Sequence, residues 1–240
     1  MFTESARVYD ALCRHKDYAG AAATLSNILS RVAPHASSLL DVGCGTGRHL
    51  SYLREHFAVA GLDSSRQMLA IARQRCPGVP MYEASLVDFS LPRRFDVVTC
   101  LFGSIAYAGD IQNLRRAAQT MADHLEADGV LVVEPWLSPE RFIAGRLVFD
   151  SADDPDLKVA RMYVTRREER RSVFDSEYLV GTPDGVARFH ERQALGLFTD
   201  AEYRSAFADA GLETIDTSGD LFGYGLYICG TRDAHPREKG

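Results

Sequence analysis

The chain has 240 residues, 46% apolar and 25% charged, and 33 acidic against 27 basic side chains give a formal net charge of −6. That length and balance suit one α/β unit with an elaboration and a sizeable core, and they exclude disorder as a description of the whole. An acidic balance leaves no basic footprint for nucleic acid, no apolar run approaches a membrane span and no signal-peptide pattern opens the chain, so a cytoplasmic protein without membrane contact is expected.

Taken in order, residues 1–36 are predicted as a helical lead-in. Tyr18, Ala22, Leu25, Ile28, Leu29 and Val32 form a helical stripe that Pro34 ends. Tyr9 and Tyr18 lie where a globular core does not need them, and they either close as a lid over a ligand or pack on the domain. Next, the apolar run Leu39-Leu40-Asp41-Val42 stops at Gly43-Cys44-Gly45-Thr46-Gly47, and a helix is expected from near Gly47 through Leu53. A strand that breaks at alternating glycines and restarts as a helix lets backbone N–H groups approach a ligand closely. The spacing departs from G-x-G-x-x-G, because Arg48 stands where that pattern has its third glycine. Asp41 would repel a phosphate and suits a cationic amino-acid ligand. Cys44 reads as a small apolar filler.

The next strand, Ala58 to Leu62, ends at Asp63, about twenty residues past the glycines, where an acid can take both hydroxyls of a ribose. Ser64 and Ser65 follow as helix caps before Met68, Leu69, Ile71 and Ala72. Val79 to Tyr82 reads as a short strand, Phe95 to Phe102 as a buried one, Ile111 to His124 as a helix, and Gly129 to Glu134 as another buried strand. Five rounds of alternation imply a parallel, doubly wound α/β sheet, a Rossmann-like arrangement whose ligands bind beyond the strand carboxyl ends. Asp41, Asp63, Ser85 and Phe102 lie at such ends. Past Trp136 the rhythm changes: Lys158 to Val164, Val173 to Val180 and Val186 to Leu197 read as strands, with Pro183-Asp184-Gly185 as a hairpin turn. Segments 37–136 and 198–232 would then form the ligand-binding α/β domain, 137–197 an antiparallel β insertion, and 233–240 a flexible tail. Five scattered cysteines without a C-x-x-C pair suit a reducing compartment and no metal site.

D-x-G-x-G-x-G with a downstream acid resembles the S-adenosylmethionine (SAM) site of class I methyltransferases. Val8-Tyr9-Asp10, Lys16-Asp17-Tyr18, Phe102-Gly103-Ser104-Ile105-Ala106-Tyr107, Val132-Val133-Glu134-Pro135-Trp136 and Leu197-Phe198-Thr199 extend the likeness to nucleotide-linked amino-sugar N-methyltransferases, the desosamine- and mycaminose-type N,N-dimethyltransferases of antibiotic biosynthesis. The resemblance implies SAM cradled at Gly43 and Gly45 within the Asp41–Gly47 loop, its ribose on Asp63 beside Ser64, and its adenine near Met68, Ser85 and Leu86. It also implies Tyr9 and Tyr18 closing over the cofactor, with Phe102 at the site. Tyr107 and His190 match positions facing the acceptor, and a homodimer through the insertion is a family-based expectation. Three departures matter: Ser85 replaces an aspartate, Leu86-Val87 replaces a methionine-arginine pair, and Tyr224 stands where sugar enzymes tend to have arginine.

Methyl transfer from a sulfonium is an in-line displacement whose leaving group is already activated, so alignment supplies much of the rate. A neutral amine would attack, with Tyr107 and His190 orienting it or relaying its proton. A half-exposed strand residue is the competing reading of His190, and Trp136 either walls the acceptor pocket or packs in the core. The run Arg166 to Arg171, with mixed signs, reads as a solvated loop. Two other functions share the cofactor residues: a methyltransferase for a different amine, phenol or carboxylate, and a non-catalytic SAM-binding regulator.

Overall fold

The computed structural model describes residues 4–231, and the tail expected at 233–240 lies outside them. Helices α1 (Ala6–Leu12) and α2 (Tyr18–Val32) lead in; strand β1 (Ser38–Val42), helix α3 (Arg48–Leu53), β2 (Ala58–Asp63), α4 (Arg66–Arg75) and β3 (Met81–Glu83) follow. Then come β4 (Phe95–Cys100), a short 3-10 helix (Ser104–Ala108), α5 (Ile111–Asp123) and β5 (Leu125–Val133). Four strands, β6 (Leu147–Asp153), β7 (Lys158–Glu168), β8 (Arg171–Thr182) and β9 (Gly185–Gly196), precede α6 (Asp200–Asp209), β10 (Leu212–Asp216) and β11 (Tyr227–Thr231).

Seven strands form the main sheet in the order β10-β11-β5-β4-β1-β2-β3. β1 pairs in parallel with both β2 and β4, so the winding direction reverses between β1 and β4, while β11 runs antiparallel to β5. Alternate residues of the central strands feed opposite faces. Leu40, Val98, Leu131 and Val133 pack with α5 and α6, and Leu39, Val97, Val130 and Val132 pack with α2, α3 and α4. Burying each such side chain stabilises the fold by about 1.5–3 kcal/mol. The last helix starts on a full capping box, Thr199 with Glu202.

The insertion is a separate antiparallel sheet in the order β6-β7-β8-β9. Its first strand was not expected: Leu147, Phe149 and Met162 are 74%, 60% and 49% exposed, so the usual cue of apolar residues turned inward is reversed at this edge. The inner face packs Ala152, Val159, Tyr178, Val180 and Phe189 around Val8 and Leu12 of α1. Helix α1 is tied at both ends. Glu191 of β9 accepts the N–H groups of Glu4 and Ser5 at 2.9 and 3.1 Å, and Asp10 accepts Thr46 Oγ1 at 2.7 Å and Arg48 Nε at 3.1 Å from the glycine loop. Burial alone would raise the Asp10 pKa, but hydrogen bonds from Arg75, Thr46 and Arg48 win and hold it below the usual carboxylate range.

Candidate active site

The glycine loop begins where β1 ends. Gly43, Gly45 and Gly47 have φ of +76°, +54° and +74°, the left-handed region that side chains resist. A Cβ on Gly43 would meet Ser104 Cβ at 2.7 Å, whereas one on Gly45 would enter open space above the loop. Asp63 closes the loop from the neighbouring strand. Its Oδ2 accepts the Gly45 N–H at 2.9 Å and its Oδ1 the Ser65 N–H at 2.8 Å, leaving lone pairs on both oxygens for a diol. Burial pushes its pKa up against those N–H groups.

A cavity of about 330 Å³ runs from this loop to the inner face of the insertion. Tyr9, Gly43, Gly45, Asp63, Ser64, Met68, Leu86 and Phe102 line one half; Tyr107, Trp136, Asp150, Arg161, Tyr163, Ser176, Gln193 and Tyr224 line the other. A smaller cavity of about 40 Å³ continues inward beneath the loop, lined by Tyr18, Asp41, Cys44, Arg48 and His49 together with Tyr9, Gly43 and Gly45. Asp41 is 1% exposed; Thr99 Oγ1 donates to its Oδ1 at 2.9 Å, while its Oδ2 has no partner. Burial raises its pKa to about 7. A buried carboxylate oxygen left open at the end of a glycine cradle fits the ammonium of an amino acid, and the Asp63 carboxylate fits a ribose. The residues present therefore suit SAM. Burial and the nearby Asp41 also keep the Cys44 thiol protonated, as a filler requires.

Three sequence expectations are corrected in placement. His190 lies on the outer face of β9, with Nε2 3.7 Å from Asp175 and its side chain 49% exposed. Strand parity puts Phe189, Gln193 and Leu195 inward and His190 outward, so it does not reach the cavity. Ser85 is exposed in the turn after β3, bridged to Asp88, and neither cavity touches it. Gly47 faces away from both cavities: a Cβ there would lie 3.2 Å from Ala72 Cβ, so it serves the packing of α3 on α4.

Sequence reasoning missed Asp150 and Gln193, which line the cavity together with Arg161, an arginine the sequence offers, unranked beside Arg141, Arg188 and Arg192, as a diphosphate partner. Arg161 Nε and Nη2 donate to Asp150 Oδ2 at 3.0 and 2.6 Å, and the Gln193 amide nitrogen is buried without a partner. Trp136, expected either as pocket wall or core, does both. Its Nε1 donates to Ser172 Oγ at 3.0 Å, and its ring stacks on Tyr224 at 5.3 Å, the pair rimming the cavity. Glu134, fully buried, accepts the N–H groups of Phe102 at 2.7 Å and Phe222 at 3.1 Å and so holds two loops at the site.

A methyltransferase-domain family model matches residues 39–129. Over 228 residues the chain is 40% identical to a dTDP-3-amino-3,6-dideoxy-alpha-D-glucopyranose N,N-dimethyltransferase of Streptomyces fradiae, an alignment covering 93% of this chain and 89% of that protein. It belongs to the amino-sugar N,N-dimethyltransferase family. Another member, a dTDP-4-amino-2,3,4,6-tetradeoxy-D-glucose N,N-dimethyltransferase of Saccharopolyspora spinosa, is 39% identical over 94% of this chain and 92% of its own. Among solved structures, Streptomyces venezuelae DesVI superposes with a TM-score of 0.88 at 37% identity, covering 96% of this chain and 99% of that one. SAM-bound CalS10, an amino pentose methyltransferase from Micromonospora echinaspora, gives 0.82 at 38%, covering 96% and 97%. The chain is thus a class I, SAM-dependent N-methyltransferase with an added antiparallel sheet. Among the described residues no helix is long and apolar enough to cross a membrane, and no cluster of His, Cys, Asp or Glu could hold a metal ion.

Proposed function

We propose that this enzyme methylates, twice, the amine of a nucleotide-linked amino sugar lodged between the glycine loop and the inner face of the insertion. The observation that carries it is that the ion pair Asp150–Arg161 and the unpartnered amide of Gln193 line the same cavity as Asp63, in a chain 40% identical to a dTDP-amino-sugar enzyme. Bound SAM supplies a methyl on a cationic sulfur that leaves as a neutral thioether. The protein's part is to hold the amine in line and exclude water. Burial, then Asp63, raises the Tyr107 pKa, and burial does the same for Tyr9; both phenols stay protonated and orient the amine by hydrogen bonds without abstracting its proton. With α1 and α2 acting as a lid, the proton of the product leaves to water.

Incubation with SAM and a panel of dTDP-amino sugars should give S-adenosylhomocysteine and a dimethylated sugar. Turnover only with a phenol, a carboxylate or a free amine would overturn the assignment. Tyr107→Phe should lower kcat about 10- to 100-fold, the loss of one hydrogen bond in a dry site, with S-adenosylhomocysteine affinity unchanged.

In this reading Asp41 takes the ammonium of the cofactor, and only its carboxylate form does so. With its pKa raised to about 7, S-adenosylhomocysteine affinity should rise about tenfold per pH unit up to pH 7 and then level, and Asp41→Asn should flatten that profile. A profile equally steep in Asp41→Asn would move the effect to another group.

Tyr224 gives the rim an aromatic surface where an arginine was expected, and Arg141 donates to the Gly223 carbonyl at 3.1 Å, bringing a guanidinium to the same loop for a diphosphate. The outer face of the insertion exposes Leu147, Phe149, Met162 and Val164, paired across β6 and β7, an apolar patch suited to a homodimer. Phe149→Lys should leave a monomer by light scattering. A wild-type chain that is itself monomeric at micromolar concentration would refute the dimer. Five free cysteines and a small-molecule biosynthetic role fit the cytoplasm.

A further inference from the structure

Two residues that line the small inner cavity each carry a buried polar atom without a partner: Oδ2 of Asp41 and Nε2 of His49. His49 is 7% exposed and stands on α3, five positions past Cys44. Its ring meets Tyr18 edge-on at 5.0 Å and Phe222 at 5.8 Å, so the imidazole is fixed by aromatic neighbours. Folded proteins rarely leave such atoms unsatisfied, because each costs about 1–3 kcal/mol. Burial lowers the His49 pKa to about 4, so near neutral pH it is an uncharged ring that gives one N–H.

Arg48 is the cationic side chain in the lining of the cavity, beside the hydroxyl groups of Tyr9, Tyr18, Thr46 and Ser104. Its Nε donates to Asp10 at 3.1 Å and its guanidinium lies over the Tyr18 ring at 5.2 Å. A carboxylate acceptor on one wall, with an imidazole donor and a guanidinium on another, complements a zwitterion and not a simple cation or anion. We propose that His49 is a cofactor ligand, its Nε2–H donating to the α-carboxylate of the methionyl end while Asp41 takes the α-ammonium. The proposal rests on the assignment of this site to SAM. The carboxylate selects the Nε2–H tautomer, and Arg48, already held by Asp10, adds a positive field without having to move. The strand before the loop and the helix after it thus supply the acceptor and the donor, and the methionyl end is read as an intact amino acid.

The test compares two probes by calorimetry: S-adenosylhomocysteine, which carries the amino-acid head, and 5′-methylthioadenosine, which lacks it. His49→Phe keeps the ring packing against Tyr18 and Phe222 and removes the nitrogen. It should weaken S-adenosylhomocysteine about 10- to 100-fold and leave 5′-methylthioadenosine within about twofold, and His49→Gln should recover part of the loss. In the wild type, the His49 Nε2 resonance in a 15N-labelled sample should move on adding the first probe and stay with the second. Unchanged S-adenosylhomocysteine binding in His49→Phe would overturn the proposal and leave a cavity water as the partner of Nε2. Equal loss of both probes would overturn it in favour of packing alone. If neither probe binds the wild type, the cofactor assignment itself fails and the proposal with it.

Discussion

Asp63→Asn is expected to weaken S-adenosylhomocysteine binding about 100- to 1,000-fold. Two losses add: an ionised acceptor facing a ribose diol is worth about 1.5–3 kcal/mol, and the amide nitrogen that takes the place of Oδ2 cannot accept the second hydroxyl, whose loss of a partner on binding costs about 1–3 kcal/mol more. The free protein should suffer less. Asparagine can keep its oxygen on the Ser65 N–H, and it removes a carboxylate whose burial already raises its pKa. Calorimetry and thermal unfolding together separate the effects: a large rise in Kd with a small fall in Tm is the expected pair. A rise in Kd below tenfold would mean that Asp63 serves the glycine loop and not the ligand.

The cofactor half was legible because it is local. Asp41 to Gly47 is one strand, one turn and one helix start, and the chemistry of alternating glycines after an acid sits within seven consecutive residues. Asp63 needed only the next strand, since β2 pairs with β1 in register, Val42 opposite Leu62. Gly47 looked like part of the cradle for the same local reason, yet its contact is Ala72, which only the packing of α4 brings near.

The acceptor half was mostly hidden, because its residues meet only through pairing between distant strands. Asp150 lies on β6, Arg161 on β7 and Gln193 on β9, and nothing in any one segment says they share a face. His190 shows how fine the margin is. In Phe189-His190-Glu191 a shift of one residue exchanges the inner face of the insertion for solvent, and the parity is set by β8, where Tyr178 faces Phe189 and Glu177 faces His190. Tyr107 escaped this ambiguity because it follows β4 directly, in the short helix that the switch point places over the site.

Glu134 belongs to a stretch quoted for its resemblance alone, and its structural role supports a second large effect. Glu134→Ala should destabilise the protein by about 2–6 kcal/mol near pH 6, because the N–H groups of Phe102 and Phe222 would both be left buried without an acceptor. Phe102 would lose the tether that holds it at φ +53°, a conformation that costs a side-chain-bearing residue about 1–2 kcal/mol, and cofactor affinity should fall with it. The size of the effect depends on pH in a defined direction. Burial raises the Glu134 pKa from 4.5 to about 7, against the two N–H donors. A raised acid gives stability that is complete below its unfolded pKa and is lost as pH climbs through the folded one. The wild type should therefore shed up to about 3 kcal/mol between roughly pH 4.5 and 8, while the alanine variant lacks that titration, and the gap between them should narrow as pH rises. Urea unfolding of both proteins at pH 6 and pH 8 measures it. A gap that widens with pH would show that the carboxylate, and not the acid, is the form the two loops are built to hold.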